Sequence, residues 1–160
     1  IEPEENIKFF RFKMPSNSNV NEPQANYSNP QFILVEGDFT WHEAKLDAEA
    51  RGGHLATFSS MNEWAMIQTL LGPEIGNVSH NGFWIGATDE ENEGQWSWVT
   101  GEEWHLGENS FSSIWASGQP DNAYGGEDYI HVHMVGVKLN DLRNRPIDSM
   151  AGYILEIPID

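Results

Sequence analysis

The 160-residue chain contains no cysteine. Disulfide staples, thiol nucleophiles and zinc–thiolate centres are therefore excluded. The absence does not place the chain inside a cell. Basic residues are scarce: 8 Lys and Arg stand against 25 Asp and Glu, for a formal net charge of −17. From Gly52 to Val137 there is no Lys or Arg, while twelve acids fall in that stretch. Nucleic acid is not expected as a partner, because phosphate binding needs basic patches. Anionic membrane surfaces are disfavoured for the same reason. No apolar run approaches the roughly 20 residues of a membrane span, so membrane insertion is not expected. The start, Ile1-Glu2-Pro3-Glu4-Glu5, has no apolar leader segment and no initiator Met; a mature protein or an excised domain is expected. Phosphate-loop, dinucleotide and Gly-x-Ser-x-Gly patterns are also missing. His42-Glu43 lacks the second His of a zinc protease helix. An enzyme is not expected.

Aromatic residues make up 12% of the chain, with seven Trp, which points to a folded, aromatic-rich core. The length suits one domain over residues 1–160. Residues 1–30 are expected to form an N-terminal strand and loop extension, and 31–157 the core. Ile7 to Lys13 alternates apolar and basic residues like a short strand, and Pro15 to Pro30 is an Asn-, Ser- and Pro-rich loop. Gln31 to Glu36 is a second strand. Thr40-Trp41-His42-Glu43 and Ser60-Met61-Asn62-Glu63 both fit a capping box and predict two helices. The first buries Trp41, Ala44 and Ala48 and stops at Gly52-Gly53; the second buries Trp64, Ile67 and Leu71 and stops at Gly72-Pro73. Strands are predicted at Phe83 to Ile85, Gln95 to Val99, Tyr129 to Val135, Val137 to Leu139 and Met150 to Ile157, with Gly136 turning one into the next. Glu102 to Asn122 is loop-like. Helices early and strands with long loops late predict an α+β fold.

The acids admit two readings: a solubility surface, or ligands that hold cations and so relieve mutual repulsion. Three triplets favour the second. Gln119-Pro120-Asp121, Gly126-Glu127-Asp128 and Leu139-Asn140-Asp141 bring amide and carboxylate oxygens into two nearby loop segments. Hard cations such as Ca²⁺ take six to eight oxygen ligands, and amides and carboxylates supply them. His131 and His133 alternate on a strand with Tyr129 and are expected on one sheet face.

In their order, these segments resemble the C-type lectin-like domain family from about Gln31 to Ile157. Trp41-x-x-Ala44 leading to Gly52-Gly53-His54-Leu55-Ala56 is similar to the family's first helix and its exit, and Trp84-Ile85-Gly86 to its core strand. Asp89-Glu90-Glu91-Asn92-Glu93-Gly94 followed by Trp96-Ser97-Trp98-Val99 is similar to the opening of its long loop. Gln119-Pro120-Asp121, Glu127-Asp128, Asn140-Asp141 and Tyr153-Ile154-Leu155-Glu156-Ile157 follow in the family's order. The resemblance implies two helices flanking antiparallel sheets, with a long calcium-binding loop region. Departures are plain. Ala48 and Leu155 stand where the family pairs cysteines, Tyr129 stands at another cysteine position, and Leu139 replaces a Trp. Apolar packing is expected to take over from the bridges, and a bacterial origin is expected.

By the same resemblance, Gln119, Asp121, Glu127, Asn140 and Asp141 form the principal Ca²⁺ site, with a cis bond before Pro120 turning its neighbours toward one point. These residues and Tyr124 would contact sugar. A second calcium site is implied at Asp89, Glu93, Asn122 and Asp128, where Asn122 replaces a usual acid. Gln-Pro-Asp goes with galactose-type ligands in the family, so galactose or N-acetylgalactosamine is the first expectation and fucose or another diol sugar the second. The Trp on which galactose stacks is replaced by Ala123; Tyr124 beside it is either a substitute platform or a turn residue. The function expected is calcium-dependent carbohydrate binding at the surface of a cell or in secretion, within a larger multidomain adhesin. The alternative is a protein- or ice-binding domain of the same fold in which calcium only orders the loops.

Overall fold

The computed structural model describes residues 7–10, 30–58, 60–75, 81–102, 104, 114–133, 136–144 and 150–158. The predicted loop from Pro15 to Pro30 lies almost wholly outside them. Among the described residues the elements are, in chain order, β1 (Ile7–Phe10), β2 (Gln31–Glu36), α1 (Trp41–Ala50), β3 (His54–Leu55), α2 (Met61–Ile75), β4 (Gly82–Thr88), β5 (Ser97–Trp98), β6 (Tyr129–His133), β7 (Lys138–Leu142) and β8 (Gly152–Ile157).

The start of α1 follows from its cap. Glu43 donates its backbone N–H to the Thr40 hydroxyl (3.2 Å), while the Glu43 carboxylate accepts from the Thr40 backbone (2.9 Å). Two N–H groups that the helix cannot serve are thereby satisfied. Thr40→Ala is expected to lower stability by about 0.5–2 kcal/mol, seen as an earlier urea midpoint with an unchanged slope. Helix α2 begins likewise, with the Glu63 N–H on the Ser60 hydroxyl at 3.2 Å. It does not stop at Gly72-Pro73 as the sequence predicts but runs to Ile75 with Pro73 inside. The side chain of Ile75 is fully buried, and its packing outweighs the hydrogen bond that proline removes.

The strands form one sheet in the order β1-β2-β8-β4-β6-β7, with β3 added on β8 and β5 on β4. All pairs are antiparallel except β4 with β8, where Phe83 faces Gly152 and Trp84 faces Tyr153. Gly152 is needed at this junction: a Cβ there would lie 1.8 Å from the Val35 carbonyl oxygen, and its φ is +150°.

Alternation along β2 sorts the core. Phe32 and Leu34 join one buried cluster with Trp64, Ile67 and Ile75 of α2. Ile33 and Val35 join the other with Trp41, Ala44 and Ala48 of α1. The sheet is thus covered by α2 on one face and α1 on the other. Ala48 and Leu155, at the first pair of cysteine-replacing positions, are buried in the same cluster. Tyr129 is buried there too, its ring 4.8 Å from that of Trp41. Apolar and aromatic contact fills the space that bridges would take.

Predicted strands change in extent. Phe83 to Ile85 grows into the seven-residue β4, Gln95 to Val99 shrinks to Ser97–Trp98, and Met150 to Ile157 begins only at Gly152. Another difference matters more. Asn140 and Asp141, expected in a loop, belong to β7, with His131 opposite Asn140 and Ile130 opposite Asp141. Buried residues alternate along β7 at Leu139 and Asp141. A carboxylate in a core-facing slot hides the period-two apolar signal on which a strand reading rests.

Candidate metal centre

The turn carrying Gln119 is docked onto β7. Trp115 bridges Leu139, Ala116 N–H donates to the Leu139 carbonyl at 2.8 Å, and Gln119 N–H closes a turn on Ala116 at 3.0 Å. Leu139 is wholly buried, so apolar contact rather than the usual indole anchors this strand. The Gln119–Pro120 peptide bond is cis.

Across this docked turn, Asp121, Glu127 and Asp141 each present a carboxylate oxygen, and the three lie within 4.8 Å of one another. Asp141 is buried, Glu127 half-buried and Asp121 exposed. Backbone donors hold two of them. Asp141 accepts from Asn122 N–H (2.8 Å) and Asp121 N–H (3.3 Å), and Glu127 accepts from Ala123 N–H (2.9 Å). Burial pushes the Asp141 carboxyl above its ordinary range, with the Asp121 charge adding to the push. Burial likewise raises Glu127, and the charges of Asp141 and Asp121 add to it. Three acids crowded this way repel one another, and a divalent cation among them removes the repulsion.

The amides complete a hard-cation donor set. Gln119 Oε1 is buried and has no hydrogen-bond partner, an arrangement that native structures rarely tolerate. Asn140 Nδ2 donates to His131 Nε2 (3.0 Å) and to the Asp141 carbonyl (2.9 Å). With both amide hydrogens spent, Asn140 Oδ1 is the end of the amide that could hold a cation. The Asp141 carbonyl keeps a second lone pair. His131 is an acceptor here because it is neutral: burial, then the neighbouring His133, pushes its imidazole down to about 3, against an opposing effect of the Asn81 backbone. The expected one-face alternation of His131 and His133 placed these rings, 5.6 Å apart. It did not reveal that His131 orients Asn140, because that follows only from the β6–β7 register.

The second quartet is arranged differently. Among the described residues it does not form a converged acid cluster like the first. Asp89 N–H donates to the Asp128 carbonyl (3.2 Å), and Asp89 Oδ2 accepts from Gly94 N–H (2.7 Å). Asp89 Oδ1 is buried and unpartnered. Burial, with Glu93 and Asp128 nearby, pushes this carboxyl up to about 6. Asn122 Nδ2 donates to Glu93 (2.5 Å), and its Oδ1 accepts from Gly126 N–H (2.5 Å) and Glu127 N–H (3.0 Å). Asn122 thus ties the Asp89–Gly94 turn to the Gln119–Glu127 loop.

Tyr124 stands at the loop tip, 93% exposed and at φ +64°. A non-glycine residue in that region is uncommon. The Arg143 guanidinium lies 5.0 Å from its ring centroid, and Arg143 Nη2 donates to the Ala123 carbonyl at 3.3 Å. Arg143 escaped the sequence reading, since no local pattern links it to a ring nineteen positions earlier.

The fold and this oxygen-rich loop define the class. Residues 38–142 match the Lectin C-type domain, and the chain belongs to that family. It is 33% identical over 97 residues to the hepatic lectin of Gallus gallus, covering 61% of this chain and 42% of the relative. It is 32% identical over 117 residues to a perlucin-like protein of Mytilus galloprovincialis, covering 72% of this chain and 69% of the relative. Among solved structures, the carbohydrate-recognition domain of the mouse scavenger receptor C-type lectin superposes with a TM-score of 0.64 at 26% identity, covering 85% of this chain and 94% of that one. The chain spans less than half the length of the hepatic lectin. Family membership makes this a C-type lectin domain, and the mouse receptor domain that it resembles is a carbohydrate-recognition domain. Among the described residues, no helix is long and apolar enough to cross a membrane.

Proposed function

We propose that this domain binds carbohydrate through Ca²⁺ held by Gln119, Asp121, Glu127, Asn140 and Asp141. The observation that carries the reading is the convergence of the Asp121, Glu127 and Asp141 oxygens beside a buried, unpartnered Gln119 Oε1. Bound calcium supplies coordination positions for two adjacent sugar hydroxyls. The chain's residues do the rest. The carboxylates accept from those hydroxyls and the amides fix their direction, since each sugar OH both donates and accepts. Galactose-type sugars are the first choice, from the Gln-Pro-Asp order, with fucose next. Tyr124, braced by Arg143, offers an exposed ring where Ala123 offers none. Asp89, Glu93, Asn122 and Asp128 are proposed as a second calcium site that stiffens the loop, on the strength of the orphaned Asp89 Oδ1.

A single exposed sugar site of this kind binds near millimolar, about 4 kcal/mol. Adhesion then needs several copies, so a multidomain surface or secreted adhesin is the proposed setting. The exposed Tyr124 ring also favours a second reading, a protein- or ice-binding domain whose loops calcium orders.

A glycan array probed with calcium and again with a chelator separates the two. Galactose-type signals that vanish in chelator support the first reading. Signals unchanged by chelator sink the calcium bridge, and calcium uptake with no glycan signal supports the second.

A further inference from the structure

A cleft of about 460 Å³ opens between α1 and the turn that joins β4 to β5. Small-molecule pockets run from about 300 to 1000 Å³, so it has room for a long side chain. None of its described lining residues is a proposed calcium ligand. Much of the wall is apolar: buried Trp41 and Trp98 and half-buried Val99 line it. The Trp41 indole N–H is spent on the Ile85 carbonyl at 2.8 Å, so this ring brings apolar surface alone. Leu46, also in the lining, is 65% exposed. With Met61 and Tyr124, it is one of three large apolar side chains left exposed among the described residues.

Among the described lining residues, every charge but one is matched. Lys45 donates to Glu49 at 2.6 Å. His42 Nε2 lies 3.3 Å from Glu90, which also accepts from the Tyr129 hydroxyl. Glu91 stands exposed and, among the described residues, has no hydrogen bond or ion pair. Its carboxylate adds to the field of a net charge of −17, and a cleft with apolar walls focuses such a field. A cation carried on an apolar stem is complementary to both features. Lys and Arg side chains have that build: the methylene stem lies on apolar surface and the charged head stays in water. The mostly exposed Leu46 is left for the residues next to that side chain, which a polypeptide has and a free amine lacks.

We propose that this cleft is a docking site for a basic segment of a partner protein. The stem of one Lys or Arg lies along Trp98 and Val99, its charged head reaches Glu91, and an apolar neighbour covers Leu46. The site is separate from the calcium loop and does not depend on that loop's assignment.

The test is an NMR titration of the isotope-labelled domain, in calcium and excess galactose, with the capped peptides Gly-Arg-Leu-Arg-Gly, Gly-Gln-Leu-Gln-Gly and Gly-Glu-Leu-Glu-Gly and with free arginine. The arginine peptide is expected to shift the amide signals of Leu46, Glu91 and Val99. It should bind roughly fivefold tighter than the glutamine peptide, the upper end for an exposed ion pair, and the glutamate peptide should be weaker still. Glu91→Gln should bring the arginine peptide down to the glutamine one. Leu46→Ala should weaken both roughly threefold. Asp38→Asn removes an exposed acid outside the described lining and should leave the arginine peptide's affinity unchanged. All three positions are exposed, so the variants are expected to fold, and the wild-type comparison of the peptides stands without them. Equal losses from Glu91→Gln and Asp38→Asn, or shifts spread over the acidic surface, overturn the site in favour of the general field. Free arginine binding as tightly as its peptide overturns a protein segment as the occupant. Equal affinity for the three peptides, or no shift at Leu46 and Val99, overturns the docking site outright.

Discussion

Replacing Asp121 with Ala is expected to abolish calcium-dependent sugar binding while leaving the domain folded. Asp121 is the exposed member of the three converging acids. Its backbone N–H on Asp141 survives the change, so the turn keeps its tether. Only its carboxylate is lost, and with it one of the three formal charges proposed to hold the cation. Disturbing the groups around a metal ligand already costs about 10–100-fold in affinity. Loss of a charged ligand should exceed the upper figure, about 2.7 kcal/mol. Millimolar sugar affinity then falls out of reach. Asp141→Ala provides the contrast. That side chain is buried and accepts from the N–H groups of both Asp121 and Asn122. Removing it strands two donors, so binding and stability should fall together. Calcium calorimetry, galactose binding and urea unfolding on both variants read the difference. An Asp121→Ala protein that still binds galactose in a calcium-dependent way would falsify the assignment of this carboxylate.

Much of the fold is legible in the sequence because local and global signals agree. Thr40 with Glu43 marks a helix start by residue type and spacing alone, and Trp41, Ala44 and Ala48 mark its buried face. Strand β2 is bounded so clearly that its limits, Gln31 and Glu36, agree between sequence and structure. The failures share one cause: tertiary packing overriding a local rule. Pro73 should end a helix, but the buried Ile75 carries it further. Asp141 should mark a loop, but it occupies a core-facing strand position because its neighbours across β6 and in the Gln119 turn hold it there. The ligand types and their order are visible in the triplets. What holds them together is not. His131 behind Asn140, Arg143 under Tyr124 and the hydrogen bond of Asn122 to Glu93 all depend on register and loop docking, which spacing along the chain does not encode.

With calcium chelated, the domain should lose stability as pH rises from about 4, the ordinary carboxylate value, through about 6, the value for Asp89. Burial first, and like charges second, raise Asp89 and Glu127; burial, with Asp121, raises Asp141; and burial, with Glu63, raises Glu156. An acid whose folded value lies above its unfolded value binds its proton more tightly when folded. Its contribution is full below the unfolded value and is lost as pH climbs through the folded one. Glu43, held low by the Thr40 cap, acts in the opposite sense from the surface. The net charge of −17 pushes the same way as the raised acids, since ionisation adds repulsion. Calcium should reverse the slope. Its ligands bind only when deprotonated, so its stabilisation grows as pH rises. At about a hundred times its dissociation constant that is about 2.7 kcal/mol, or roughly 5–10 °C in Tm for a domain of this size. Thermal unfolding between about pH 4.5 and 7.5, the span around the ordinary carboxylate and histidine values, should therefore show two diverging curves, falling in chelator and rising in calcium. Sodium chloride should lift the chelator curve by screening the acids and leave the calcium curve almost unmoved. Parallel curves, or a chelator curve that climbs with pH, would show that these carboxylates do not gather around a cation.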